Sequence, residues 1–102
     1  MAQIRRRYTT VNGKTDWIVT VTYDERRFDT DHWFEAKVSA VNERTNEKFP
    51  FPPEIATYRI GEVENSFREI VRMDWRGDTE AALAHIMDTI YRRVYSFIER
   101  GH

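Results

Sequence analysis

The spacing of apolar positions changes along the chain. Up to about residue 52 they alternate with polar ones, and beyond Asp78 they recur every three to four residues. A period of two puts successive side chains on opposite faces of a strand, whereas a period of 3.6 gathers them on one stripe of a helix. In IRRRYTTVNGKTDWIVTVTY, Asn12-Gly13 stands between two β-rich runs. Asn-Gly suits the positive φ of both central positions of a type I′ turn, so a hairpin is expected. Closure there sets Tyr8 opposite Trp17, Arg6 opposite Val19 and Ile4 opposite Val21, on the face that Tyr23 shares. Arg5, Arg7, Thr9, Thr20 and Thr22 take the other face, with Ile18 as its apolar exception.

The polar run DERRFDTD reads as a loop, and HWFEAKVSAV resumes the alternation. Phe34, Ala36, Val38 and Ala40 fall on one side; Glu35, Lys37 and Ser39 fall on the other, flanked by Trp33 and Val41. After the turn cluster NERTNE, the stretch KFPFPP is expected as a short return strand. Pro50 and Pro52 cannot donate to a ladder, which confines that strand to a sheet edge. A four-stranded antiparallel meander is therefore predicted between about residues 3 and 52, with one apolar and one mixed polar face.

Two helices are predicted after it, over about 62–75 and 79–100. In the second, Leu83, Met87, Ile90, Val94, Phe97 and Ile98 share a stripe, widened by Ile86 and Tyr91. Asp78 is a suitable N-cap, Glu80 suits the first turn, and Gly101 lies just past the end. In the first, a helix gathers Val63, Phe67, Ile70 and Val71, whereas a strand would place Glu69 among apolar neighbours. PPEIATYRI is a connector with no clear period. Strands followed by helices indicate an α+β fold, with both helices packed on the apolar face of the sheet.

The tripeptide Arg76-Gly77-Asp78 matches a cell-adhesion signal, yet its place argues for punctuation. Asp78 accepts backbone N–H bonds at the start of the last helix, and Gly77 permits the turn before it.

Composition narrows the function classes more than it selects one. With 102 residues the chain fits a single α+β domain, 1–102. It has no cysteine, which removes disulfides, thiolate metal sites and cysteine nucleophiles. The net charge of −1 gives no bulk attraction to nucleic acid or anionic lipid. No apolar run nears the roughly 20 residues of a membrane span. MAQIRRRYTT lacks the apolar stretch of a signal peptide. A cytoplasmic protein with no membrane partner is expected.

Catalytic machinery is not apparent. His32 lies beside Asp29 and Asp31, and His85 lies three residues before Asp88, but neither forms the three- or four-ligand set of a metal site. No nucleophile elbow or glycine-rich phosphate loop is present, and the carboxylate pairs Asp29/Asp31 and Glu62/Glu64 lack an apolar setting that would raise a pKa. A non-enzyme with no cofactor and no metal is expected.

What remains are contact surfaces. Tryptophan, tyrosine and arginine dominate protein interfaces. Trp33, Arg26, Arg27, Phe28, Trp75 and Arg76 are the candidate partner contacts, and the partner is another protein or a second copy of the chain. The alternative is a weak nucleic-acid-binding domain. There Arg5, Arg7 and Lys37 would touch phosphates from the polar face and Trp33 would stack on a base. Glu35 interrupts that basic patch.

Overall fold

The computed structural model describes residues 2–24, 34–61 and 66–101. Along the chain come β1 (Ala2–Thr9), β2 (Asp16–Tyr23), β3 (Phe34–Asn42), α1 (Pro53–Ala56), β4 (Thr57–Ile60), α2 (Phe67–Asp74) and α3 (Thr79–Arg100). The four strands form one antiparallel sheet in the order β1-β2-β3-β4, followed by the two longer helices. The fold is α+β.

The first hairpin has the expected register: Tyr8 faces Trp17, Arg6 faces Val19 and Ile4 faces Val21. Its turn differs from the expected type I′. Gly13 has φ +74°, whereas Asn12 is not among the residues with positive φ. Instead the Gly13 N–H bonds the Thr10 carbonyl at 2.8 Å and the Thr10 N–H bonds the Thr15 carbonyl at 2.9 Å. The Asn12 side chain explains the change. Its Oδ1 accepts from the Thr10 hydroxyl at 2.6 Å and from the Lys14 N–H at 2.9 Å, which favours a longer local turn.

The fourth strand is not KFPFPP. Lys48 makes only an isolated bridge to Val41, and Phe49 donates one bond to the Ala40 carbonyl. Pro50 then ends the ladder, because it has no N–H to give. Phe49 and Phe51 turn inward against Phe97 of α3, with ring centroids 6.0 and 5.8 Å away. Pro53 opens the one-turn α1, and the strand that pairs with β3 is Thr57–Ile60 from the unassigned connector.

The core lies on the face that the alternation predicts. Trp17, Val19, Val21 and Tyr23 of β2 are buried, as are Phe34, Ala36, Val38 and Ala40 of β3. They belong to one buried cluster with Phe67 and Val71 of α2 and with Ile86, Ile90, Tyr91, Val94 and Ile98 of α3. Named contacts tie helices to strands. The Phe34 and Phe67 rings lie 5.4 Å apart, Tyr8 stacks on Tyr95 at 4.2 Å, and the Tyr91 hydroxyl donates to the Ile4 carbonyl at 3.1 Å.

The helix expected over 62–75 begins later. Ser66 is the N-cap of α2, its hydroxyl accepting from the Glu69 N–H at 3.3 Å. Val63 lies outside the described residues. Between the helices, Arg76 and Gly77 both have positive φ, 53° and 81°, and the Gly77 N–H returns to the Val71 carbonyl at 3.1 Å. Asp78 caps α3 as expected, accepting from the Ala81 N–H at 3.1 Å.

Candidate interaction surface

The helices reach the sheet through its even-numbered β1 positions and the buried positions of β2 and β3. The helix-to-strand contacts named above all fall on this side, while the opposite side carries the exposed Arg5, Arg7, Lys37 and Ser39. The register sets cross-strand rows on it: Arg7–Ile18–Val41, Arg5–Thr20–Ser39, Gln3–Thr22–Lys37–Thr57 and Glu35–Arg59. Arg5 and Arg7 thus lie on the same face as Lys37, separated from it by β2.

Acidic side chains neutralise two of these three cations. Arg7 Nη2 lies 2.5 Å from Glu43 Oε1, at the far end of β3. Lys37 Nζ lies 3.2 Å from Glu35 Oε1 and donates to Thr57 Oγ1 at 3.3 Å. Glu35 also takes two bonds from Arg59, from Nη2 at 2.6 Å and Nε at 3.2 Å. The hydrogen bonds from Arg59 first, and from Lys37 next, hold the Glu35 carboxyl below its ordinary pKa. Arg5 is exposed, with no ion pair among the described residues. None of the side chains in these rows is aromatic.

At the margin of the sheet, Arg6 points to the helix side. Its guanidinium carbon sits 4.3 Å from the centroid of the Tyr91 ring, so it stacks on α3 and keeps its charge in solvent. Beside it Tyr8 donates to Glu99 Oε1 at 2.5 Å, and the same oxygen accepts the Val11 N–H at 2.9 Å. Burial, then the bond to Glu99, pushes the Tyr8 hydroxyl up to about 12. Burial also pushes Tyr91 up to about 12, against the pull of Arg6. These bonds fasten β1 to the last three turns of α3.

The strand order makes β1 an edge. The Thr10 N–H to Thr15 carbonyl bond fixes which residues face β2. In an antiparallel pair the hydrogen-bonded positions alternate. Counting back along the register, Tyr8, Arg6, Ile4 and Ala2 bond β2. Gln3, Arg5, Arg7 and Thr9 therefore turn their N–H and C=O groups outward. No backbone bond from these four to any described residue outside the sheet is formed.

The other expected contacts are dispersed. Trp75 is half-buried at the end of α2, packed on the core with its ring 5.5 Å from His85. Arg76 is exposed in the left-handed turn beside it, and Met73 is 65% exposed nearby. Trp33, Arg26, Arg27 and Phe28 lie outside the described residues, as does His32. Among the described residues no group of three or more His, Asp or Glu side chains is placed to hold a metal ion. No described helix is long and apolar enough to cross a membrane.

Two contributors to this surface were not anticipated from the sequence. Glu43 lies in a turn cluster, and only the β2–β3 register brings it to Arg7. Arg59 belongs to a strand the period did not reveal. Comparison with protein-family models, curated proteins and solved structures gives no match.

Proposed function

We propose that the protein is a non-enzymatic interaction module that binds another protein through the side of the sheet its helices leave open. A cytoplasmic setting belongs to the same proposal. One observation carries it: the strand face turned away from the described helices presents threonine, serine and mostly paired charges, with Ile18 and Val41 half-buried in a cross-strand row towards one end. Mixed polar surfaces with a small apolar patch resemble the make-up of non-obligate protein interfaces.

The nucleic-acid alternative is less well supported by the same face. Polyanion binding draws its energy from several cations that neutralise phosphates together. Here Arg7 and Lys37 already have carboxylates at 2.5 and 3.2 Å. Single-stranded nucleic acid also needs stacking rings, and the rows of the open face hold none.

Ser39→Trp tests the reading. The side chain is exposed at the middle of β3 and away from the core, so the variant should fold. Immobilised wild-type protein should retain a nuclease-resistant protein partner that Ser39→Trp fails to retain. Equal retention by both would move the interface elsewhere on the molecule. Retention that nuclease abolishes, with salt-sensitive binding to DNA or RNA, would replace the reading by the nucleic-acid one.

A further inference from the structure

We infer that β1 is an acceptor for strand addition, and that its occupant is an extended acidic segment of another protein. The inference rests on the interaction-module reading and names a partner chemistry and a docking geometry for it. Gln3, Arg5, Arg7 and Thr9 offer alternating outward N–H and C=O groups along an eight-residue strand. Only a peptide backbone supplies acceptors and donors in that same alternation, as sheet-edge recognition requires. A phosphodiester chain offers acceptors without matching amide donors.

Charge selects among peptides. Arg5, Arg6 and Arg7 are consecutive and all exposed. An incoming strand bonded to the outward residues places its own side chains opposite Arg5 and Arg7 on the open face, two residues apart. Acidic residues at those alternate positions meet Arg5, which has no ion pair among the described residues, and compete with Glu43 for Arg7. Arg6, stacked on Tyr91, adds its charge from the helix side. The same three arginines disfavour a second copy. Antiparallel β1–β1 pairing centred on Arg6 would set Arg5 against Arg7 and Arg6 against Arg6, and like charges directly opposite are destabilising. The edge is also held ready. The Tyr91 hydroxyl on the Ile4 carbonyl, the Tyr8–Tyr95 stack and the Tyr8–Glu99 bond keep β1 extended, so little ordering is needed when a partner arrives.

Residue-resolved amide exchange of the whole chain, with and without an eight-residue peptide alternating glutamate and valine, tests this. Exchange at Gln3, Arg5, Arg7 and Thr9 should slow at least tenfold on binding. Ile4 and Arg6, whose amides already serve the ladder, should change little. N-methylation of the peptide at its hydrogen-bonding positions should remove the protection, a result independent of any protein variant. Arg5→Glu should weaken the glutamate peptide at least tenfold and favour its lysine counterpart. Strand addition is overturned if the four amides stay unprotected, if a lysine peptide protects the wild type equally, or if protection follows self-association or an oligonucleotide instead. Partner capture lost in Ser39→Trp, with these amides still unprotected, would keep the interaction reading and remove the edge from it.

Discussion

At the residue scale, the informative side chains are those whose environment departs from what their type prefers. Tyr8 and Tyr91 both hold a proton more tightly than free tyrosine, chiefly through burial, and Glu99 reinforces this at Tyr8. The consequence for stability has a definite sign. The unfolded chain releases these protons near the ordinary value of 10, the folded chain near 12. Between those values the unfolded state binds fewer protons, so stability falls as pH rises. The contribution is whole below pH 10 and is lost as pH passes through about 12. In ultraviolet titration, at least these two of the five tyrosines should ionise late, and denaturant midpoints should drop across the same window. Midpoints unchanged there would mean that neither ring is held as described. Glu35 runs the other way: its lowered pKa gives stability above the ordinary carboxylate range that is lost as pH falls. Its partners are more than half exposed, so that contribution is small.

At the scale of elements, the helices depend on caps and on one stripe each. Asp78 accepts the Ala81 N–H, one of the donors a helix start leaves unpaired. Asp78→Ala should lower unfolding free energy by about 1 kcal/mol, whereas Asp78→Asn or Asp78→Ser should be nearly neutral in urea melts. An adhesion role for Arg76-Gly77-Asp78 would tolerate neither conservative change, and the turn that holds it is built from the left-handed Arg76 and Gly77. The core stripe of α3 is less forgiving. Ile90 is 1% exposed within the common cluster. A charge there has no partner and no water, a cost of several kcal/mol set against a total stability of about 5–15. Ile90→Asp should abolish the cooperative thermal transition seen by circular dichroism, and a variant that melts like the wild type would refute the packing of α3.

At the scale of the molecule, one long helix sets the shape. The 22 residues of α3 span roughly 33 Å at about 1.5 Å each. The principal extents are 43 × 21 × 19 Å, and the radius of gyration is 14.9 Å, above the roughly 13 Å of a compact chain this long. With arginines along β1 opposing self-pairing, the protein should scatter light as a 12.3 kDa monomer, with an X-ray scattering radius of gyration somewhat above 14.9 Å once hydration is included. A doubled mass at low concentration would show that copies meet despite those charges.

Much of this architecture was legible in local pattern. Alternation in β2 and β3 named the eight buried strand positions, because a one-residue slip would expose all of them. The 3.6-residue stripe and Asp78 located α3, since period and cap are both local properties. Ser66-Phe67-Arg68-Glu69 also carries a capping signal for α2, one that the apolar period alone does not contain. The sequence likewise determined that Arg5, Arg7 and Lys37 share a face. Tertiary structure decided the rest. Thr57–Ile60 becomes a strand only because β3 offers an edge to it, and KFPFPP loses that place because its prolines have no N–H to give. Which arginines are neutralised depended on Glu43 and Glu35, which strand pairing brings to Arg7 and Arg59. Whether β1 is fastened yet open along its outer side depended on where α3 came to rest, a contact between residues some ninety positions apart that no local period encodes.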